Sequence, residues 1–378
     1  MSNYKLIASC SFGIESIVAG ELKNLGINDL KTENGRIEFT GTLTDMARCN
    51  IHLRCAERVY VKLSEFKAID FEELFQGTLS INWGDMLPKD AFIHVIGKSV
   101  KSKLHSVPDC QSIVKKAIIT KMSSKYGIKL FPEDGAPYKI EVSILKDIVT
   151  LSLDSSGAGL HKRGYREEGG TAPLRETLAA AIIDISRWKQ GRILADPLCG
   201  SGTIAIEAAL KARNIAPGIN RNFDFEQWGW LSADILADIR NQAKSAEITP
   251  QLEIFASDID LKQFNRAREN AKRAGVLDSI VFQKKPVSEF ASKKKYGCII
   301  TNPPYGERIS DIKTAEKLYI EMGQVFQKLD EWSIFIITAH ENFQKLYARN
   351  ADKNRKLYNG KIKTYLYQYL AQLPPKGD

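Results

Sequence analysis

The run Asn302-Pro303-Pro304-Tyr305 combines hydrogen-bond acceptors, a rigid backbone and an aromatic face. An amine attached to an aromatic ring is a poor nucleophile, because its lone pair is delocalised into the ring. Two acceptors aimed at its protons, the Asn302 side-chain oxygen and the Pro303 carbonyl, favour a pyramidal nitrogen with its lone pair on a methyl donor. The prolines hold φ at about −65° and so fix that carbonyl. Tyr305 offers a flat face for stacking a base, worth roughly 1–3 kcal/mol. No strong base is needed, since the methylated amine loses its proton easily; in-line positioning carries most of the rate. Read alone, the tetrapeptide also suits an Asn-Pro turn closing a strand over a core tyrosine. It serves adenine N6 as readily as guanine N2.

A second constellation lies about a hundred residues earlier, Asp196-Pro197-Leu198-Cys199-Gly200-Ser201-Gly202-Thr203, between a strand pattern and a helix pattern. Gly200 and Gly202 remove side chains where a ligand must approach the backbone, and both tolerate positive φ. The helix that follows offers free N–H groups at its start. The loop is neither Gly-x-Gly-x-x-Gly nor a Gly-Lys-Ser/Thr phosphate cradle. Its leading acid repels pyrophosphate but suits the cationic amino-acid end of S-adenosyl-L-methionine. The next strand ends in Asp258-Ile259-Asp260. A carboxylate at this place accepts hydrogen bonds from ribose hydroxyls, and Asp258 is the better candidate because Asp260 can cap the following helix. Asp196, Pro197, Cys199, Gly200, Ser201, Gly202, Thr203, Asp258 and Ile259, with Asn302, are therefore the candidate cofactor residues.

The elements that must position these groups follow from periodicity. After Gly170 the chain alternates strands and helices: helix 173–188, strand 192–196, helix 204–213, strand 253–258, helix 261–274, strands 280–283 and 296–301, helix 314–329 and strand 333–339. Two strands, 355–358 and 361–370, flank Asn359-Gly360, a strong hairpin signal. Such alternation demands a mostly parallel sheet with right-handed crossovers. Ligands bind such a sheet beyond the carboxyl ends of its strands. Upstream, residues 1–50 read strand 4–9, helix 13–25 and strand 31–39. Residues 51–157 form a second α/β unit: helix 71–77, strand 91–96, a lysine-rich helix 115–129 and a hairpin of strands 138–145 and 148–154. The basic cluster His161-Lys162-Arg163-Gly164-Tyr165-Arg166 stands at the boundary with the domain spanning 165–378.

The net charge is +9 over 378 residues, and nine lysines between Lys89 and Lys129 face only Asp90 and Asp109. A local excess of that size suits a polyanion such as nucleic acid, although a solvated helix face is the bland alternative. The candidate RNA contacts are Lys98, Lys101, Lys103, Lys115, Lys116 and Arg163. Six scattered cysteines form no Cys-x-x-Cys pair and the five histidines do not cluster with them, which argues against a disulfide framework or a metal site. No apolar run is long enough to span a bilayer and no secretory signal opens the chain, so a cytoplasmic location is expected. The oligomeric state is left open.

At these residues the sequence resembles the THUMP-domain RNA guanine-N2 methyltransferases, in particular the bacterial branch that modifies 23S ribosomal RNA. The resemblance spans essentially the whole chain. It implies a class I (Rossmann-like) methyltransferase domain with a mostly parallel seven-stranded sheet and a terminal antiparallel hairpin, preceded by ferredoxin-like and THUMP domains. The segment 171–178 matches the helix that abuts the methionine part of the cofactor, which adds Pro173 to the site. Asn214-Ile215-Ala216-Pro217-Gly218 and Phe225-Glu226-Gln227-Trp228 resemble the family's insertion after the glycine-loop helix. Runs 98–104 and 111–117 resemble the THUMP module, an RNA-binding unit. Pro286 stands where the family often places an acid that reads the adenine amine. The implied activity is methyl transfer to guanine N2 in ribosomal RNA. A transfer-RNA substrate, adenine N6, or a non-catalytic RNA-binding assembly factor are the alternatives; intact Asn302, Gly200 and Gly202 speak against the last.

Overall fold

In a computed structural model, residues 2–166, 173–306 and 309–372 are described. In chain order they form β1 (Tyr4–Ser9), α1 (Glu15–Asn24), β2 (Leu30–Glu33), β3 (Arg36–Gly41), α2 (Leu43–His52), β4 (Arg58–Lys67), α3 (Phe71–Leu79), α4 (Trp83–Met86), β5 (Phe92–Val100), α5 (Val107–Tyr126), β6 (Pro137–Leu145) and β7 (Ile148–Asp154). The second half forms α6 (Glu176–Ser186), β8 (Leu194–Asp196), α7 (Thr203–Ala212), α8 (Ala233–Ser245), β9 (Ile254–Asp258), α9 (Leu261–Arg273), β10 (Val281–Lys284), β11 (Cys298–Thr301), α10 (Ile309–Phe326), β12 (Ser333–Thr338), α11 (Phe343–Tyr347), β13 (Lys353–Asn359) and β14 (Ile362–Tyr369). Among the described residues no helix is long and apolar enough to cross a membrane.

The strands form two sheets of seven. The second has the order β10-β9-β8-β11-β12-β14-β13, parallel except for β14 and β13. This is the expected parallel sheet closed by an antiparallel hairpin. β8 and β11 are its central strands, and the chain passes from β8 outward to β10 before returning to β11. That reversal opens a crevice at their carboxyl ends. Strands β8, β11 and β12 are buried along their whole length, as expected for a sheet covered by helices on both faces.

The first sheet, ordered β2-β3-β1-β4-β7-β6-β5, is antiparallel apart from the β5–β6 pair. It runs unbroken from the N-terminal strands into those of the second unit, because β4 pairs with β1 on one side and β7 on the other. Position 50 lies inside α2, not in a linker. There the Asn50 amide, buried, donates to Ser155 Oγ at 2.9 Å and accepts from Ser156 Oγ at 2.6 Å. A fully satisfied buried network of this kind fixes α2 against the end of β7.

Three expectations about elements need correction. The strand expected over 31–39 is two antiparallel strands, β2 and β3, folded back at Asn34-Gly35. The lysine-rich helix begins at Val107, with Pro108 in its first turn, and stops at Gly127 in the left-handed region, so Lys129 lies beyond it. The helix expected from Pro173 begins at Glu176. Helices α2 and α8 and strand β4 were not foreseen. α2 is started by a capping box, in which Thr42 accepts from the Asp45 N–H and Asp45 accepts from the Thr42 N–H.

The insertion 214–230 joins the two halves. Gly218 donates its N–H to Ile51 at 2.9 Å, and a Cβ there would meet the Asn50 carbonyl at 2.7 Å. Only glycine allows that approach. Trp228 stacks on Tyr138 at 5.3 Å and donates to the Pro137 carbonyl at 2.9 Å. It is therefore a docking residue for the first sheet and not a cover for the crevice.

Candidate active site

Three strand ends converge at the carboxyl edge of the second sheet. At the end of β8, Asp196 is buried and accepts a 2.7 Å hydrogen bond from Thr301 Oγ1, the last residue of β11. Burial pushes the Asp196 carboxyl up to about 7, while the Thr301 and Leu198 hydrogen bonds pull the other way. A cation placed beside this carboxyl would favour its ionised form.

The loop after β8 turns on Gly200 and Gly202, with φ of +50° and +81°. A Cβ on Gly200 would meet nothing within 4 Å, whereas one on Gly202 would stand 3.0 Å from Ala267 Cβ. The first glycine therefore borders open space, and the second lets α7 pack against α9. Asp258, at the end of β9, accepts from the Gly200 N–H at 2.9 Å and the Asp260 N–H at 2.9 Å. Burial raises its proton affinity and these two N–H groups oppose it. Asp260 caps α9 by accepting from Lys262 N–H, as its place in the sequence suggested. Ile259 and Leu261 beside it are 63% and 52% exposed. Exposed apolar side chains beside a strand-end carboxylate suit the face of an aromatic ring. Pro286 opens a 3-10 turn over Val287–Glu289 next to this edge and offers no side-chain acceptor.

Asn302 follows β11 directly. Its Oδ1 accepts from the Tyr305 hydroxyl at 2.6 Å. The Tyr319 hydroxyl, from α10, donates to the Pro304 carbonyl at 2.7 Å and lies 3.1 Å from Thr338 Oγ1 at the end of β12. Two fixed φ angles and this tether hold the loop. Sequence reasoning missed Thr301, Tyr319, Thr338 and also Asn270, whose amide donates to the Ser201 carbonyl at 2.9 Å. An asparagine beside Ala267 and Ala271 in the last turns of α9 is the one signal that could have pointed to it.

Other candidates lie elsewhere. Pro173 precedes α6 and its carbonyl accepts from Asn359 Nδ2 at 3.4 Å; Thr171 and Ala172 fall outside the described residues, as do Glu307 and Arg308. Cys199 is buried beneath the loop and Thr203 starts α7. Arg163 does not belong to an RNA surface. It is buried, bonds both Glu207 oxygens at 3.4 Å, and donates to the Leu160 and Arg54 carbonyls. Charge left in the interior is spent on its partner. Arg166 likewise ties Glu176, the Leu174 carbonyl and Thr203 together. Lys98 pairs with Glu141 and Lys115 with Glu133, while Lys116 lies over Phe75. Lys101 and Lys103 are exposed in the turn after β5, held by Asp147, which accepts from the Lys103 N–H at 2.7 Å.

Glu21, Cys55 and Asp184 form the one close group of potential metal ligands among the described residues. The Glu21 oxygens already accept the Arg54 and Cys55 N–H groups, and Asp184 pairs with Lys211. All six cysteines are free and buried.

Three family models match the chain: an RMKL-like methyltransferase domain over residues 163–368, an RlmL ferredoxin-like domain over 5–60 and a THUMP domain over 68–154. Among relatives, "Putative RNA methyltransferase YpsC" of Bacillus subtilis (strain 168) is 48% identical, covering 100% of this chain and 98% of that one. The crystal structure of a "predicted N6-adenine-specific DNA methylase" from Listeria monocytogenes str. 4b F2365 is 47% identical with a TM-score of 0.92, covering 98% of this chain and 97% of that one. The structure of SMU.472 complexed with SAH is 42% identical with a TM-score of 0.91, covering 99% of this chain and all of that one, 100%.

Proposed function

The chain belongs to the family of RMKL-like methyltransferase domains, here joined to RlmL ferredoxin-like and THUMP domains, and from that premise we propose that it methylates the exocyclic N2 amine of a guanine in RNA, 23S ribosomal RNA first among substrates. The observation that carries this reading is the position of Asn302-Pro303-Pro304-Tyr305 at the end of β11, one strand from the glycine loop of β8. The cofactor is S-adenosyl-L-methionine, which supplies an electrophilic methyl group.

The residues fit that cofactor. Gly200 leaves open space, Asp196 suits an ammonium, and Asp258 suits a ribose diol with Ile259 alongside. SMU.472 binds SAH in the same fold. Asn302 Oδ1 and the Pro303 carbonyl orient the amine. The Tyr305 hydroxyl donates to Asn302 Oδ1 in this structure, so an incoming amine exchanges with that hydroxyl while the ring stacks on the base. A base in a helix cannot reach this loop, so it must leave its stack. The THUMP match and the description of YpsC support RNA as the substrate.

The description of the Listeria relative favours a second reading, adenine N6. Methyl transfer from labelled cofactor to total RNA and to DNA, followed by nucleoside analysis, separates them. N2-methylguanosine is expected; N6-methyladenine as the sole product would overturn the guanine assignment. Mass spectrometry of ribosomal RNA from a deletion strain would then locate the guanine.

A further inference from the structure

We propose that the outer face of the β13–β14 hairpin, with Phe12, is a second contact surface for single-stranded RNA, carrying the strand toward Asn302. The proposal rests on the RNA reading above and adds a surface outside the THUMP module.

Register places this face at the reactive edge. Thr301 of β11 pairs with Ile336 of β12, Thr338 of β12 with Tyr365 of β14, and Tyr365 with Lys356 of β13. The Asn359-Gly360 turn therefore projects from the same edge as Asn302. At about 4.8 Å per strand, Tyr365 and Lys356 stand roughly 10 and 15 Å along that edge from β11. That is the span of a few nucleotides.

The face is built of alternating cations and aromatic rings. Tyr358 pairs with Lys363 and Lys356 with Tyr365, while Leu357 and Thr364 between them are buried. Lys356 Nζ lies 5.5 Å from the Tyr358 ring and Lys363 Nζ 5.3 Å from the Tyr365 ring. Among the described residues no carboxylate forms an ion pair with Lys353, Arg355, Lys356, Lys361 or Lys363, whereas Lys98, Lys115 and Lys125 of the lysine-rich region are each paired. The charge of the hairpin is thus unneutralised.

The N-terminal unit extends the surface. Phe12 is 55% exposed and meets Tyr358 edge-on at 6.1 Å. Its loop is held by Glu15, which accepts from the Gly13 and Gly35 N–H groups, and it lies so close to β13 that a Cβ on Gly13 would stand 2.9 Å from the Lys356 carbonyl. Basic positions interleaved with the half-buried Tyr358 and Tyr365 rings, and extended by the exposed Phe12, form a platform for stacked bases and their phosphates.

The test is binding of a fluorescein-labelled 20-mer of uridine to the full chain by anisotropy across a salt series. Lys356→Gln/Lys363→Gln should weaken binding roughly tenfold and lower the log–log salt slope by about 1.4, 0.7 for each lost cation. Phe12→Ala should weaken it about tenfold while leaving the slope unchanged. Lys356→Arg/Lys363→Arg should restore binding; cofactor affinity and melting temperature, unchanged throughout, exclude a folding defect. Variants that bind and lose affinity with salt as the parent does would overturn the proposal. So would an effect seen only with a deoxythymidine 20-mer. A parent that transfers no methyl to total RNA would sink the RNA reading itself, whereas a parent that methylates RNA beside unaffected variants sinks only the hairpin surface.

Discussion

The two seven-stranded sheets of this chain are equal in strand number but differ in what they can bring together. In the second sheet β8, β9 and β11 run parallel, so their carboxyl ends leave by one edge and Asp196, Asp258 and Asn302 meet there. In the first sheet most neighbours are antiparallel, so successive turns leave by opposite edges. The polar groups around it are dispersed, satisfied internally as where Asn50 of α2 meets Ser155 and Ser156, or set as cations on its outer rim as at Lys101 and Lys103. Strand direction gathers the polar groups of the second sheet at one edge, beside the β13–β14 hairpin proposed to carry RNA, and disperses those of the first.

The largest effect should come from the residue that the sequence placed on the wrong side of this division. Arg163→Ala would leave Glu207 buried beside Tyr165 without its cation, at a cost of about 3–5 kcal/mol. Denaturant unfolding should show that loss, and RNA affinity measured on the folded fraction should not change. A drop in RNA affinity without loss of stability would return Arg163 to the recognition surface. Next, Asn302→Ala should lower kcat about a hundred- to a thousandfold, with cofactor and RNA affinities nearly unchanged. If RNA affinity fell in step with kcat, Asn302 would hold the strand as well as orient its amine.

A third test uses the buried acid. Asp196 holds its proton to about pH 7 in the folded chain, against an ordinary value of 3.8. Between those values the folded chain binds a proton that the unfolded chain has released. Stability of the ligand-free protein should therefore fall as pH rises through that window, by up to about 1.4 kcal/mol per pH unit, and Asp196→Asn should flatten the profile. A ligand ammonium beside Asp196 favours the carboxylate, so cofactor binding below pH 7 should release a proton. Calorimetry in two buffers of different ionisation enthalpy checks this.

What could be read in the sequence follows the same division. The second sheet was legible because its strands are short apolar runs separated by helices, and its ligand loops lie at strand ends. Contacts among those loops were not, since Thr301 meets Asp196 only through the order β8-β11, which no local pattern encodes. In the first sheet β2 escaped notice because Leu30–Glu33 has no buried position to alternate with, although Asn34-Gly35 is the same turn dipeptide that revealed the terminal hairpin. Helix α8 buries only Ile239 and Ala243, too few apolar positions for a helical period to stand out. Arg163 was misplaced because a charged linker residue and a buried ion pair look alike until the partner, Glu207, is brought beside it.

Gly202→Ala sharpens the comparison from the cofactor side. Its φ of +81° costs a side-chain residue roughly 1–2 kcal/mol, and the new Cβ would press on Ala267 at 3.0 Å. Cofactor affinity should fall about tenfold while uridine 20-mer binding is untouched.

The smallest effect belongs to the rim of the first sheet. Lys101 and Lys103 are exposed, and no carboxylate among the described residues forms an ion pair with them; the Lys103 N–H, not its amine, is what Asp147 holds. Lys101→Ala/Lys103→Ala should leave folding and kcat at saturating RNA intact, because both side chains are exposed in the turn after β5 of the other sheet. It should raise KM for RNA a few fold at low salt and reduce the salt slope by about 1.4 if both face single-stranded phosphates. The effect should vanish near molar salt, where screening falls to about 3 Å. Loss of kcat in this variant would mean that the rim aligns the target base and does not only hold its strand, and the two sheets would then share the chemistry.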